Sequence, residues 1–198
     1  MKLRAAFVLA AVASLLSLAA PALAQDDEEG RFAIGVGAGM VQTSGSSDPY
    51  FTANLRSRIG YRSAGDERQG SVFGFVEPEV GYWTRDNNGI ESKDTLLGVN
   101  LGGAVRLRSF EYFIAGGVGY HMINRDVRTA LGTRSLDDNS LGVNAQFGFD
   151  VRVTESVSLF GVGRFDLVQV DDKNSVTSSD KSPDDQQTKV YLGVRFHL

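Results

Sequence analysis

The feature that most constrains this chain is a period of two that persists for longer than an ordinary strand. From residue 31 onward, apolar and polar residues alternate through eight segments: 31–42, 50–62, 71–83, 94–107, 110–124, 139–153, 156–170 and 188–198. Such alternation places successive side chains on opposite faces of a strand. Each segment runs to about 11 to 15 residues, where about 5 or 6 is usual for a soluble strand. A tilted strand needs about 9 to 11 residues to cross a bilayer. No amphipathic helical pattern follows residue 25, and the chain carries 23 glycines against 4 prolines. After residue 24 there is no run of about 18 apolar residues, so a transmembrane helix is excluded. A closed barrel remains as a route across a membrane.

The two faces differ in kind. In segment 94–107, Thr95, Leu97, Val99, Leu101, Gly103, Val105 and Leu107 oppose Asn100, Gly102, Ala104 and Arg106. In segment 139–153, Leu141, Val143, Ala145, Phe147, Phe149, Val151 and Val153 oppose Gly142, Asn144, Gln146, Gly148, Asp150 and Arg152. A lipid-facing side and a polar inner side account for this pattern. A soluble lipocalin-like barrel would have the apolar face inside, and period alone does not separate the two. Aromatics near strand ends favour the membrane: Phe32, Tyr50, Phe51, Tyr61, Tyr82, Trp83, Phe110, Tyr112, Tyr120 and Phe196 suggest two interfacial girdles.

The connections alternate in length. Stretches 43–49, 84–93, 125–138 and 171–187 are mostly long and polar, whereas 108–109 and 154–155 are short and 63–70 is intermediate. Outer-membrane barrels combine short periplasmic turns with longer outer loops. An even strand count puts both ends of the barrel on the short-turn side.

The N-terminus sets the compartment. Lys2 and Arg4 precede an apolar run to Leu18, and Ala22-Leu23-Ala24 follows. This is the pattern of a secretory signal peptide, residues 1–24, cut before Gln25. An uncleaved anchor is the alternative, but the apolar run is short and a cleavage motif follows it. No cysteine is present for a lipid anchor, a disulfide or a thiolate metal site. Residues 25–30 form a short acidic segment, and 31–198 a single barrel domain. Loss of Lys2 and Arg4 takes the formal charge from −4 to −6, a poor balance for nucleic-acid binding.

The last segment ends Tyr191-Leu192-Gly193-Val194-Arg195-Phe196-His197-Leu198. This ending resembles the C-terminal assembly signal of bacterial outer-membrane proteins. The resemblance assigns Tyr191, Gly193, Phe196 and Leu198 to that signal, with Leu198 standing where the family usually ends in Phe. Strands such as YFIAGGVGYHM (112–122) and VNAQFGFDVRV (143–153) are similar to those of the small OmpA/OmpX-like porin-family barrels. The resemblance covers residues 31–198. It implies an all-β, eight-stranded antiparallel up-and-down transmembrane barrel in the outer membrane of a Gram-negative bacterium. The implied partners are outer-membrane lipid, lipopolysaccharide and the assembly machinery, with the chain a monomer. It does not fix an activity, since this fold serves several. No peptidoglycan-binding domain follows the barrel, so the tethering role of two-domain members is not expected.

The inner face holds the chemistry. Mid-strand candidates are Arg56, Glu77, Glu79, Asn100, Gln146, Arg164 and Arg195, facing space left by Gly35, Gly37, Gly39, Gly117 and Gly119. Eight strands enclose an interior that side chains can fill, and buried charges need partners. The expectation is a charge cluster of Arg56, Glu77, Glu79, Arg164 and Arg195 that plugs the lumen; the alternative is a gated channel. Phe73 and Phe75 share the face of Glu77 and Glu79. Either they fill the lower lumen or a bulge near Pro78 shifts the phase.

Other chemistry is weaker. Glu77 and Glu79 are spaced for paired-carboxylate catalysis, but nearby arginines favour ion pairs. His121 lacks the His-x-Ser pattern of the lipid A deacylases and is expected at the outer rim. No cofactor motif or metal-ligand spacing is present. The acidic stretch 171–187 is expected to be a solvated loop, with divalent-cation binding as the alternative. The expected function is structural or surface-interacting, through 84–93, 125–138 and 171–187. A small porin is the runner-up, and a lipid-modifying enzyme ranks below it.

Overall fold

A computed structural model describes residues 32–43, 46–63, 70–87, 90–129, 132–169 and 185–198. The signal segment 1–24, the acidic stretch 25–30 and most of 171–187 lie outside the described residues. Eight strands form the barrel: β1 (Phe32–Thr43), β2 (Ser46–Ser63), β3 (Ser71–Asn87), β4 (Ile90–Leu107), β5 (Phe110–Thr129), β6 (Gly132–Arg152), β7 (Val157–Gln169) and β8 (Asp185–His197). Each pairs antiparallel with its sequence neighbours, and β1 closes on β8 from Ala33↔His197 to Gln42↔Thr188. Closure satisfies both edges of the sheet, which an exposed ladder would leave open to other chains.

The alternation decides which side chains meet lipid. Ile114, Phe147, Leu141, Leu192 and Val118 are exposed on the outside at 60 to 72 %. Inside, arginine, glutamate, asparagine and aromatic side chains are buried together. The apolar face therefore points outward, the reverse of a soluble barrel. At the short-turn end Phe110, Tyr112, Phe149 and Phe196 are exposed around the rim, and at the other end Phe51 and Tyr120 are. Tyr50 and Trp83 depart from the girdle expected for them. Both are buried in the lumen. Tyr50 shares the phase of Thr52, Asn54 and Arg56, and Trp83 that of Glu77 and Glu79. Their rings meet edge to face at 5.8 Å.

Phe73 and Phe75 fill the lower lumen. The β3–β4 ladder runs through Pro78 without a shift, from Ser71↔Arg106 to Asn87↔Ile90. The one irregularity of the β2–β3 register falls between Ile59 and Tyr61. The turn between β4 and β5 is the expected two residues, with Arg108 at φ 58°, the left-handed region that suits tight hairpins.

Two of the expected outer loops are strand. Residues 84–87 pair with 90–93, and 125–129 pair with 132–136. The hairpins β3–β4 and β5–β6 thus continue as ribbons above the apolar belt, because a ladder needs backbone groups rather than an apolar face. Stretch 43–49 is also mostly paired, from Thr43↔Ser46 onward.

Candidate functional site: the charged lumen

The lumen is a stack of ion pairs and rings. Arg56, from β2, lies between Phe75 and Phe113, its guanidinium carbon 4.1 Å from each ring centroid. Its Nε donates to Glu77 Oε2 at 2.7 Å and its NH1 to Glu111 Oε1 at 3.1 Å. Arg195, from β8, donates NH2 to the same Glu77 oxygen at 3.2 Å and NH1 to Asp150 Oδ2 at 2.5 Å. It also stacks over Phe160 at 4.6 Å. Gln146 donates to the remaining Glu77 oxygen at 3.4 Å. Flat guanidinium groups suit such sites, since one face can stack while the edge makes hydrogen bonds.

A second cluster sits one layer higher. Glu79 accepts from Tyr50 Oη at 2.8 Å, Thr52 Oγ1 at 2.9 Å and Asn100 Nδ2 at 3.1 Å. Arg164 NH1 closes that set and turns its Nε and NH2 to Asp166 at 2.9 and 2.7 Å. Lys189 Nζ stands 3.1 Å from Asp166 Oδ2 and 4.2 Å from the Trp83 ring.

The structure therefore brings together Arg56, Glu77, Arg195 and Gln146 in one cluster and Glu79, Asn100 and Arg164 in the other. Glu111, Asp150, Asp166 and Lys189 complete them and are not among the charge-cluster residues expected from the sequence. Asp150 is on the inner face by its period, and Glu111, Asp166 and Lys189 share the inward phase of their strands, which is the signal that finds them. The space over the β1 glycines is taken differently from expectation. A Cβ at Gly35, Gly37 or Gly39 would meet Asn54, Phe160, Thr52 or Tyr191, so rings and short polar groups fill it rather than long charges.

His121 is not at the rim. It is fully buried inside the barrel, because it shares the phase of Gly117 and Gly119. Its Nδ1 lies 3.4 Å from Asp94 Oδ2, and Ser140 is its direct cross-strand partner on β6. Acid, base and hydroxyl thus stand on three adjacent strands, but they face the lumen and not the lipid. Among the described residues His121 Nε2, Ser140 Oγ and both ends of the Asn144 amide have no protein partner, and neither do Arg56 NH2 and Arg195 Nε lower in the lumen.

The residues of the assembly-signal resemblance divide between the faces. Phe196 and Leu198 are exposed outside at 47 and 42 %, and Tyr191 is buried inside against Tyr50 and Phe160. Gly193 has a packing reason of its own. A Cβ there would collide with the Phe160 ring and the Val36 carbonyl.

A closed barrel with lipid outside and paired charges inside defines an integral β-barrel membrane protein. Comparison with known proteins narrows that class. The chain matches the model of the outer membrane protein beta-barrel domain over residues 10–196. It belongs to that family and is a protein of the bacterial outer membrane. Among solved structures it is similar to Neisserial surface protein A at 13 % identity and TM-score 0.57, covering 84 % of this chain and 96 % of that one. It is similar to Ail, the attachment invasion locus protein of Yersinia pestis, at 14 % identity and TM-score 0.51, over 86 % and 100 %. The outer membrane enzyme PagL is similar at 14 % identity and TM-score 0.50, over 84 % and 99 %. Identities this low show the fold alone. No curated protein matches the chain in sequence.

Proposed function

We propose that the protein is a non-conducting structural and surface-interaction component of the outer membrane. The observation that carries this reading is the sandwich of Arg56 between Phe75 and Phe113, pinned by Glu77 and Glu111. Rings and ion pairs occupy the cross-section that a water path would need. Function then falls to the outer ribbons β3–β4 and β5–β6, since segments carried on a rigid scaffold are where partners meet a protein, and to stretch 171–187, most of which lies outside the described residues. Outer-membrane lipid and lipopolysaccharide contact the apolar belt. The strand bearing Tyr191, Gly193, Phe196 and Leu198 is the one the assembly machinery reads.

The test is single-channel recording in planar bilayers, with a Glu77→Gln/Glu79→Gln variant beside the wild type. The wild type is expected to carry no steady current. A reproducible wild-type current that the variant alters would replace this reading with that of a small porin. The reading also makes the protein no enzyme: Ser140 is expected to resist a fluorophosphonate probe, and stoichiometric labelling lost in His121→Asn would assign it hydrolysis.

A further inference from the structure

The lipid-facing side of the barrel is not evenly covered. A concavity of about 690 Å³ crosses it from β4 to β8, within the span of about 300–1,000 Å³ usual for small-molecule sites. It follows one row of cross-strand partners: Leu101↔Gly116, Gly116↔Ala145, Ala145↔Phe165 and Phe165↔Thr188. On the short-turn side of that row Ile114 and Phe147, themselves partners, stand out as a wall.

The trough exists because outward positions carry no side chain. A Cβ at Gly116 would meet only the Asn144 carbonyl, at 3.5 Å, and one at Gly103 only the Phe73 carbonyl, at 4.0 Å. Packing within the barrel therefore demands neither glycine. Gly161 and Gly163, also outward, are different. The rings of Phe149 and Phe147 lie over them, 2.7 Å from where a Cβ would stand. Glycine inside a strand forfeits side-chain packing, and it often marks a bulge or the close approach of a ligand. The ladders of β4, β5 and β6 run in register through both bare positions, so neither is a bulge.

The row also has a direction. From Gly116 to Thr188 its members lie progressively farther from the short-turn ends of their strands. It climbs from the middle of the apolar belt toward the long-loop side, which is the outer one. There Thr188 and the next outward residue of β8, Gln186, are exposed and polar. Hydrocarbon gives way to head groups at such a level. The trough is one absent side-chain row wide, and rows on one face of a strand stand about 7 Å apart. Non-bonded carbons pack at about 3.5–4.0 Å, so the slot takes a single hydrocarbon chain with contacts along both sides.

We propose that this trough binds one acyl chain of an outer-leaflet lipopolysaccharide, which enters beside Thr188 and runs down over Ala145 and Gly116. The climb of the row toward the outer side selects that lipid over the phospholipid of the inner leaflet. The proposal rests on the placement of the barrel in the outer membrane and is independent of whether the lumen conducts.

The test places the methyl-labelled protein in nanodiscs of chain-deuterated phosphatidylcholine and adds an equimolar amount of protonated lipopolysaccharide. Nuclear Overhauser contacts from acyl methylene protons to the Ala145 and Ile114 methyls are expected. They should exceed those to Val36, which is exposed on β1 at the opposite side of the barrel. The expected preference is about tenfold, equivalent to ~1.4 kcal/mol. Gly116→Leu fills the trough from an unobstructed position and should abolish that preference while the barrel still folds. Equal contacts at Ala145, Ile114 and Val36 would mean annular lipid only and overturn the proposal. So would the same preference with protonated phosphatidylglycerol in place of lipopolysaccharide, or its survival in folded Gly116→Leu. Contacts at Ala145 between two differently labelled copies of the chain would make the trough a dimer face instead. The wild-type map decides the matter if the variant does not fold. None of these outcomes bears on single-channel current, so this proposal and the non-conducting reading fail separately.

Discussion

Arg56 and Glu77 meet at 2.7 Å inside the barrel, each about 2 % exposed, with the arginine held between two phenylalanine rings. Paired, desolvated charges of this kind add little net stability over a hydrophobic isostere, but losing one partner is costly. Glu77→Ala removes the carboxylate that Arg56 and Arg195 share and leaves Arg56 with Glu111 and Arg195 with Asp150, fewer contacts than the buried charges need. It should destabilise the folded barrel by about 3–5 kcal/mol, measured by denaturant unfolding in detergent or lipid. Unchanged stability would mean that water reaches both arginines and the lumen is wet at this depth.

Tyr50→Phe isolates a smaller part of the upper cluster. The Oη of Tyr50 donates to Glu79, which keeps Thr52, Asn100 and Arg164 as donors. One hydrogen bond to a charged group contributes about 1.5–3 kcal/mol, and the remaining donors place this loss at the low end. The same unfolding assay reads it. A loss as large as that of Glu77→Ala would mean that the two clusters are one cooperative unit.

Gly193→Ala separates packing from recognition at the last strand. The added methyl meets Phe160 and the Val36 carbonyl, so refolding into detergent, with no assembly machinery present, should lose yield. A second change, Phe160→Leu, should restore part of it. Normal refolding of Gly193→Ala together with failed assembly in cells would assign the glycine to machinery recognition.

Ile114→Arg tests the outer face. Ile114 is 72 % exposed and pairs with Phe147 across the β5–β6 ladder. A charge near the middle of the lipid face of a barrel costs about 2–4 kcal/mol. The loss should appear in bilayers, read as the shift in denaturant midpoint. No shift would place this surface outside the hydrocarbon.

Much of the architecture was legible because its signal is long. Over residues 97–107 of β4, 141–152 of β6 and 189–197 of β8 the alternation runs without interruption, so phase and strand count follow from residue type. Phase misleads only when it is set aside. Tyr50, Trp83 and His121 were placed by their nearness to strand ends, yet each keeps the inward parity of its strand. The outer ribbons were read as loops because their residues are polar on both faces, which erases the period while the ladder continues. The partners of each charge were not legible. Which arginine meets which carboxylate depends on the stagger of the closed barrel: Glu111 faces Arg106 across its own hairpin, but it also gathers Arg56 and Arg58 from β2, which no local spacing relates to it. Gly193 was read through a family signal, and its contact with Phe160 depends on a ring from the neighbouring strand.

The bond from Arg195 to Glu77 joins residues 118 apart in the chain. It reaches across the lumen from the last strand to the third, so it cannot form until the last strand arrives. Until then Glu77 and Arg56 face a half-built wall, and an open sheet of early strands would carry their charge into lipid with only part of its compensation. Insertion one hairpin at a time is thereby penalised. The joining of β8 to β1 brings the last non-local pair and the final ladder together, and contacts this distant in sequence slow folding.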